Sequence, residues 1–275
     1  MKALKVFRGL MAFLTAIPVK MDESFLDISS RFMFLFPVIG AIIGFLVGLY
    51  AHFTNYVLFI LFNEINNLIF SGSHEVLFNF AAKGLASSMT IAFILVIIGL
   101  QHTDGLVDVG NALGIRKASL KEKMDIAHVW TVTRSGAFLT ILVSSITLLL
   151  IFLTKTDVII QTLIVAEVSS KLAMVTTAWQ GTSPPKQLED KRGKGRSFID
   201  FMRKNNRLYA ISLVISLVVS IALFGLSGLF AVAVGMLTGG FMIILGNRVF
   251  GGVNGDIFGA TNEIARMVAL FVLVI

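Results

Sequence analysis

Residues 84–114 read GLASSMTIAFILVIIGL and then QHTDGLVDVGNALG. The run from Gly84 to Leu100 is apolar and approaches the roughly 20 residues a helix needs to cross a bilayer. His102, Asp104 and Asp108 follow it directly. Ionisable groups beside a membrane span are costly and usually functional. If the helix resumes after Leu100, Asp104 and Asp108 are four apart and share a face. Two carboxylates so placed repel each other unless a cation lies between them. Magnesium suits them, because it takes carboxylate oxygens, keeps several waters and bridges to substrate phosphates. Gly105, between them, lets a ligand approach the backbone. The plain alternative is a wetted helix end whose aspartates are only solvated. A lone interfacial His102 is as readily structural as catalytic.

The rest of the chain agrees with a membrane reading. It is 56% hydrophobic and 14% charged, with a mean hydropathy of +0.88. Soluble domains carry about 25% charged residues. Apolar runs predict an all-α, polytopic helical bundle of about seven spans, near 32–53, 84–101, 135–153, 158–179, 208–224, 229–246 and 259–275. Residues 54–62 either extend the first span or lie in the interface. No repeat or linker divides the chain, so residues 1–275 form a single integral-membrane catalytic domain. The N-terminal segment predicts an interfacial helix with Phe7, Met11 and Leu14 facing lipid. The absence of cysteine excludes disulfides, thiolate metal sites and cysteine nucleophiles.

Loop charge sets the orientation. Residues 1–31, 102–134, 180–207 and 247–258 hold 5, 5, 8 and 1 Lys or Arg, nineteen in all, of the chain's 23. The opposite loops, 63–83, 154–157 and 225–228, hold only Lys83 and Lys155. Positive loops stay in the cytoplasm. The N-terminus is therefore expected inside, and every Gly- and polar-rich segment faces the cytoplasm from the cell membrane.

Two further segments join the acidic one. Residues 188–198, LEDKRGKGRSF, alternate Lys191, Arg192, Lys194 and Arg196 with Gly193 and Gly195. Exposed backbone N–H groups and cations together suit a diphosphate. Anionic lipid heads are the equal alternative. Residues 251–266, GGVNGDIFGATNEIAR, bring Asn254, Asp256 and Glu263 to the entry of the last span. Asp256 is a further metal-ligand candidate. Glu263 and Arg266, three apart, suit a structural pair. Within a span, Glu167 and Lys171 at i,i+4 neutralise each other, unless Lys171 reaches a cavity and meets phosphate.

Together these segments resemble the cobalamin synthase family, the adenosylcobinamide-GDP ribazoletransferases. FLTAIPV (13–19) is similar to the family's F-L-T-x-[LI]-P-V, and FPVIGAIIG (36–44) to its F-P-[LV]-[IV]-G. HTDGLVD (102–108) matches H-x-D-G-[LF]-x-D. RSGAF (134–138) and GKGRSF (193–198) resemble further family segments, and residues 251–266 resemble G-G-x-[TN]-G-D-x-x-G-A-x-x-E. Order and spacing hold over nearly the whole chain. Two departures stand out: Asn111 replaces the family's third carboxylate, and the aspartate of its D-S-R falls at Val132.

The resemblance implies a reaction. The ribose 3′-hydroxyl of α-ribazole, or of its 5′-phosphate, attacks the phosphorus next to the cobinamide of adenosylcobinamide-GDP. GMP leaves, and adenosylcobalamin or its 5′-phosphate forms. Magnesium is the implied cofactor, with Asp104, Asp108, Asn111 and Asp256 as ligand candidates. His102 or Asp108 would take the hydroxyl proton. Arg134, Lys171, Lys191, Arg192, Lys194, Arg196, Asn254 and Glu263 are the substrate-binding candidates. The expected partners are the corrinoid nucleotide, α-ribazole and the lipid bilayer, with no nucleic acid. A homo-oligomer is left open. A CDP-alcohol phosphotransferase is the nearest rival, but its D-x-x-D-G-x-x-A-R pattern is absent. A cation-coupled transporter would instead place polar groups at mid-span on broken helices.

Overall fold

A computed structural model describes residues 2–17, 29–115, 117–127, 131–186 and 194–275. Among these residues every regular element is helical. The order is α1 (Lys2–Leu14), a 3-10 turn (Met33–Leu35), α2 (Phe36–Phe70), α3 (Glu75–Ile98), α4 (Gln101–Leu113), α5 (Leu120–Ala127), α6 (Arg134–Leu153), α7 (Ile159–Gln180), α8 (Lys194–Met202), α9 (Asn206–Phe250) and α10 (Gly255–Val274).

Helix α7 is the axis. All residues from Val165 to Ala178 are buried, because helices pack around it on every side. Small and hydroxylated side chains make this possible. Ser169 donates to the Ala231 carbonyl, and Thr177 donates to its own turn and to Gly239 of α9. On α2, Gly40, Gly44 and Gly48 recur every four residues against α7. A Cβ on Gly40 would lie 2.6 Å from the Glu167 carbonyl oxygen, and one on Gly44 would lie 2.6 Å from the Ile164 Cα. Where lipid tails are as apolar as leucine, such close backbone contact drives helix association. Gly44→Val is therefore expected to cost at least about 1–3 kcal/mol through overpacking. Gly84→Ala meets nothing within 4 Å and should gain up to about 1 kcal/mol from helix propensity. Thermal unfolding in detergent checks both, and equal melting temperatures would sink the packing argument.

Among the described residues, six helices are long and apolar enough to cross a membrane. One of them, α9, is about 68 Å long at 1.5 Å per residue, over twice the roughly 30 Å hydrocarbon core. It reverses at Gly225, whose φ of 53° and ψ of −123° lie outside the helical region. A Cβ on Gly228 would collide with the Ser220 carbonyl, so the two arms lie back to back. Thr176 of α7 touches both arms: its hydroxyl lies 3.4 Å from that of Tyr209, and Gly239 packs onto it. The spans expected at 208–224 and 229–246 are the two arms of α9.

Of the two alternatives for residues 54–62, the chain takes the first: they extend the first span, and α2 runs without a break to Phe70. Two expectations need correction. The expected loop 63–83 shrinks to a turn at 71–74, with Ser71 and Gly72 at positive φ and the His74 amide bonded to Asn66 Oδ1 at 3.1 Å. No Gly or Pro interrupts 54–70 or 75–83, so the polar residues there did not stop the helices. Lys83 consequently lies within α3, 5.4 Å above the Phe152 ring. Finally, α1 exposes Phe7, but Met11 and Leu14 are buried in protein. An amphipathic pattern identifies the apolar face of α1 and not what covers it.

Candidate active site

The described parts of the acidic, basic and Gly-rich segments meet at one end of the bundle, and glycines bring them together. Helix α3 ends on Gly99 and Leu100, both left-handed, at φ 75° and 60°. The chain turns there and starts α4 across α10. A Cβ on Gly105 would lie 2.7 Å from the Asp256 carbonyl oxygen and 3.0 Å from its Cα. A Cβ on Gly259 would lie 2.9 Å from the His102 carbonyl oxygen. The two backbones therefore touch at the residue that follows Asp104. At the far end of α4, a Cβ on Gly110 would lie 2.7 Å from the Gly136 Cα at the start of α6. At the start of α8, a Cβ on Gly195 would lie 3.2 Å from the Asn254 carbonyl carbon. Four phenylalanines from four segments close the cluster. Phe198 stands 4.8, 6.1 and 6.3 Å from Phe13, Phe36 and Phe258. The segment after α1 joins as well, with the Ala16 amide on the Ile97 carbonyl at 2.8 Å.

On this scaffold Asp104 is exposed, and Asp108 and Asp256 are half-buried. Asn254 has a local task. Its Oδ1 caps α10 by accepting from the Ile257 amide at 3.0 Å, and its Nδ2 donates to Asp256 Oδ2 at 2.7 Å. It thus orients a metal-ligand candidate in place of a substrate. Arg134 is exposed at the start of α6. Arg196 donates to the Pro184 carbonyl at 2.7 Å and ties α8 to the segment after α7. Lys191 and Arg192, and the side chain of Lys194, lie outside the described residues.

Asn111 is engaged by protein. Its Oδ1 accepts from both the amide and the hydroxyl of Thr133, at 2.9 and 2.7 Å, and its Nδ2 donates to the Thr131 carbonyl at 3.4 Å. A carbonyl oxygen offers two lone pairs, and Thr133 takes both here. Asn111 holds the 131–133 segment and, through the Thr133 cap on the Gly136 amide, the start of α6. Asn111→Ala is expected to cost about 1–3 kcal/mol by orphaning the Thr133 donors. Asn111→Asp should leave half-saturating magnesium unchanged, and a clear tightening in a titration would favour the ligand reading.

Lys171 and Glu263 both have protein partners. Lys171 is 0% exposed, and its Nζ lies 3.0 Å from Glu167 and 2.6 Å from Asn262. Glu263 pairs with Arg266 at 2.6 Å. Both expected pairs exist, and an Arg266–Glu167 bond joins them. His102 is 7% exposed and lies above this cluster, with its Nδ1 lacking a partner among the described residues. Burial pushes its imidazole well below the ordinary range, Lys171 and Arg266 push the same way, and Glu167 opposes them. The ring is buried, whereas the carboxylates of Asp104 and Asp108 are not. Asn262 and the Arg266–Glu167 link escaped the sequence reading, although the charges of Glu167, Lys171, Glu263 and Arg266 sum to zero and so pointed to one shared cluster.

Among the described residues no three His, Asp or Glu side chains converge on a ready-made metal cage. The donor set still fits magnesium, which binds through one or two carboxylates and completes its shell with water and substrate phosphate. An apolar cavity of about 330 Å³ between α1 and the start of α2, lined by Phe7, Leu10 and Phe32 among others, holds none of these residues.

The described helices, with six candidate spans and the carboxylates of α4 and α10 at one end, make this a multi-pass membrane protein. The chain belongs to the cobalamin-5-phosphate synthase family, which it matches over residues 6–274. The adenosylcobinamide-GDP ribazoletransferase of Methanococcoides burtonii is 27% identical over 285 residues, covering 99% of this chain and 92% of the relative. The relative of the same name from Methanosarcina barkeri is 27% identical, with the same coverage. The one from Thermoplasma acidophilum is 31% identical over 194 residues, covering 70% of this chain and 73% of the relative. No solved structure matches this chain.

Proposed function

We propose that this protein joins adenosylcobinamide-GDP to α-ribazole or its 5′-phosphate, releasing GMP and forming adenosylcobalamin or its 5′-phosphate. The observation that carries this reading is the backbone contact of α4 with α10, which brings the Asp104–Asp108 helix onto Asp256. Family membership and the names of its relatives supply the substrates.

Phosphoryl transfer asks a protein mainly for positioning and charge neutralisation. One or two of Asp104, Asp108 and Asp256 would hold magnesium, with substrate phosphate and water completing its shell, and the ion would neutralise the diphosphate. Arg134 and the cations of 191–196 would meet the phosphate of the leaving GMP. The attacking 3′-hydroxyl loses its proton to a surface carboxylate, Asp108 in preference to Asp104, since His102 is covered. The new bond forms between that oxygen and the phosphorus next to the cobinamide, and the bond to the GMP oxygen breaks. Mid-span polar groups on broken helices, the mark of a transporter, are not the pattern here. The reversal at Gly225 joins two spans, and the buried charges cancel.

GMP release from adenosylcobinamide-GDP by the detergent-solubilised protein tests the reading. Release that needs α-ribazole and magnesium is expected. No release, or release indifferent to α-ribazole, overturns it.

The site faces the cytoplasm of a cell membrane in this reading, because nineteen Lys and Arg lie on its side against two opposite. The chain has no cysteine, so single-cysteine variants report cleanly. Ser73→Cys, in the α2–α3 turn, should react with an impermeant thiol reagent on intact cells. Lys117→Cys, on the site side, should be spared. The reverse pattern would invert the orientation.

A further inference from the structure

The chemistry above leaves the buried charges of α7 and α10 without a task. Glu167 and Lys171 of α7 and Glu263 and Arg266 of α10 form one network whose charges cancel. Glu167 is the hub: one carboxylate oxygen accepts from Arg266 Nε, and the other from Lys171 Nζ at 3.0 Å. Asn262 completes the circuit. It accepts from Lys171 Nζ at 2.6 Å and donates to Glu263 Oε1 at 3.1 Å. From the α2 side, Gly40 closes over it, where a Cβ would lie 2.8 Å from Lys171 Cγ.

Such a cluster adds little stability over apolar residues of the same volume, because desolvation offsets the attraction. Its directional bonds differ from hydrophobic contact in another respect: they fix one rotation and one depth of a helix against its neighbour. Helix α10 is the element whose rotation matters. Asn262 lies about 9 Å along it from Asp256, at 1.5 Å per residue. Between them Gly259 supports the His102 backbone. A slip or turn of α10 would move Asp256 relative to Gly105.

We propose that Glu167, Lys171, Glu263 and Arg266 are positioning residues, which set the rotation and depth of α10 so that Asp256 meets α4 at Gly105. They do so without touching substrate. The inference rests on the reading of the site given above.

The test is a variant that removes the whole cluster, Glu167→Leu, Lys171→Met, Glu263→Leu and Arg266→Met, and leaves no buried charge unpaired. Its melting temperature in detergent should stay near that of the parent. Its kcat for GMP release should fall about a hundredfold, as expected when reacting groups are misplaced by an ångström. KM for the nucleotide substrate should hold within about threefold. Amide exchange at 255–262 should quicken while that of α7 stays unchanged. Parental kcat and parental exchange would overturn the proposal. If this variant does not fold, Arg266→Lys carries the test. It keeps the charge and loses the guanidinium fork that reaches both glutamates, so the same fall in kcat and faster exchange at 255–262 are expected, and parental values overturn the proposal. Exchange is read on the protein alone. A parent that releases no GMP would remove the functional reading, and exchange would still decide the positioning role.

Discussion

Asp104→Asn and Asp108→Asn are each expected to cut magnesium-dependent GMP release about a hundredfold or more, the scale seen when a charge-stabilising group is removed from a transition state. Asparagine keeps the size and one oxygen of aspartate and removes its charge. Neither position is buried: Asp104 is exposed and Asp108 half-buried on α4. The loss of like-charge repulsion at i,i+4 slightly favours the helix. Unfolding in detergent should therefore be unchanged while turnover collapses. The magnesium requirement should rise in whichever single variant keeps measurable activity. A double variant with near-parental release and the same magnesium dependence would move the site away from α4 altogether.

What was legible in the sequence was local. The run 84–100 marked a span, and the i,i+4 spacing of Asp104 and Asp108 marked a helical face, because both depend on neighbouring residues. The pairs Glu167–Lys171 and Glu263–Arg266 were legible for the same reason. Their union was not, since Arg266 reaches Glu167 across 99 positions of sequence. The partner of Asn111 was not legible either, since Thr133 lies 22 positions away and nothing in the pattern links them. Span edges failed where polarity misled. Asn63, Glu64, Asn66 and Asn67 resemble a loop, yet α2 runs through them to Phe70. The stripe Gly40, Gly44, Gly48 was a readable signal for close helix packing that the apolar-run reading passed over.

Glycine thus has two duties here, and they separate by neighbour. At Gly40 and Gly44 it lets spans approach the central helix. At Gly105 and Gly259 it sets the spacing between the chemical groups themselves. Gly105→Ala is the sharpest test of the second duty and is expected to lower kcat about a hundredfold. The added methyl would sit 2.7 Å from the Asp256 carbonyl oxygen and 3.0 Å from its Cα. Both are backbone atoms, so no side-chain rotation relieves the contact, and α4 must move off α10. The overpacking penalty is about 1–3 kcal/mol, and alanine returns up to about 1 kcal/mol of helix propensity. The net loss of stability, up to about 3 kcal/mol, is comparable to the roughly 2.7 kcal/mol of a hundredfold rate loss, so turnover is read well below the unfolding temperature. Gly255→Ala, one residue before Asp256, meets nothing within 4 Å and should leave the spacing intact. Measured side by side in detergent where both variants are folded, Gly105→Ala should turn over slowly and Gly255→Ala at the parental rate. Parental turnover in Gly105→Ala would mean that the approach of Asp256 to α4 does not set the rate, and the carboxylates of α4 would then act without Asp256.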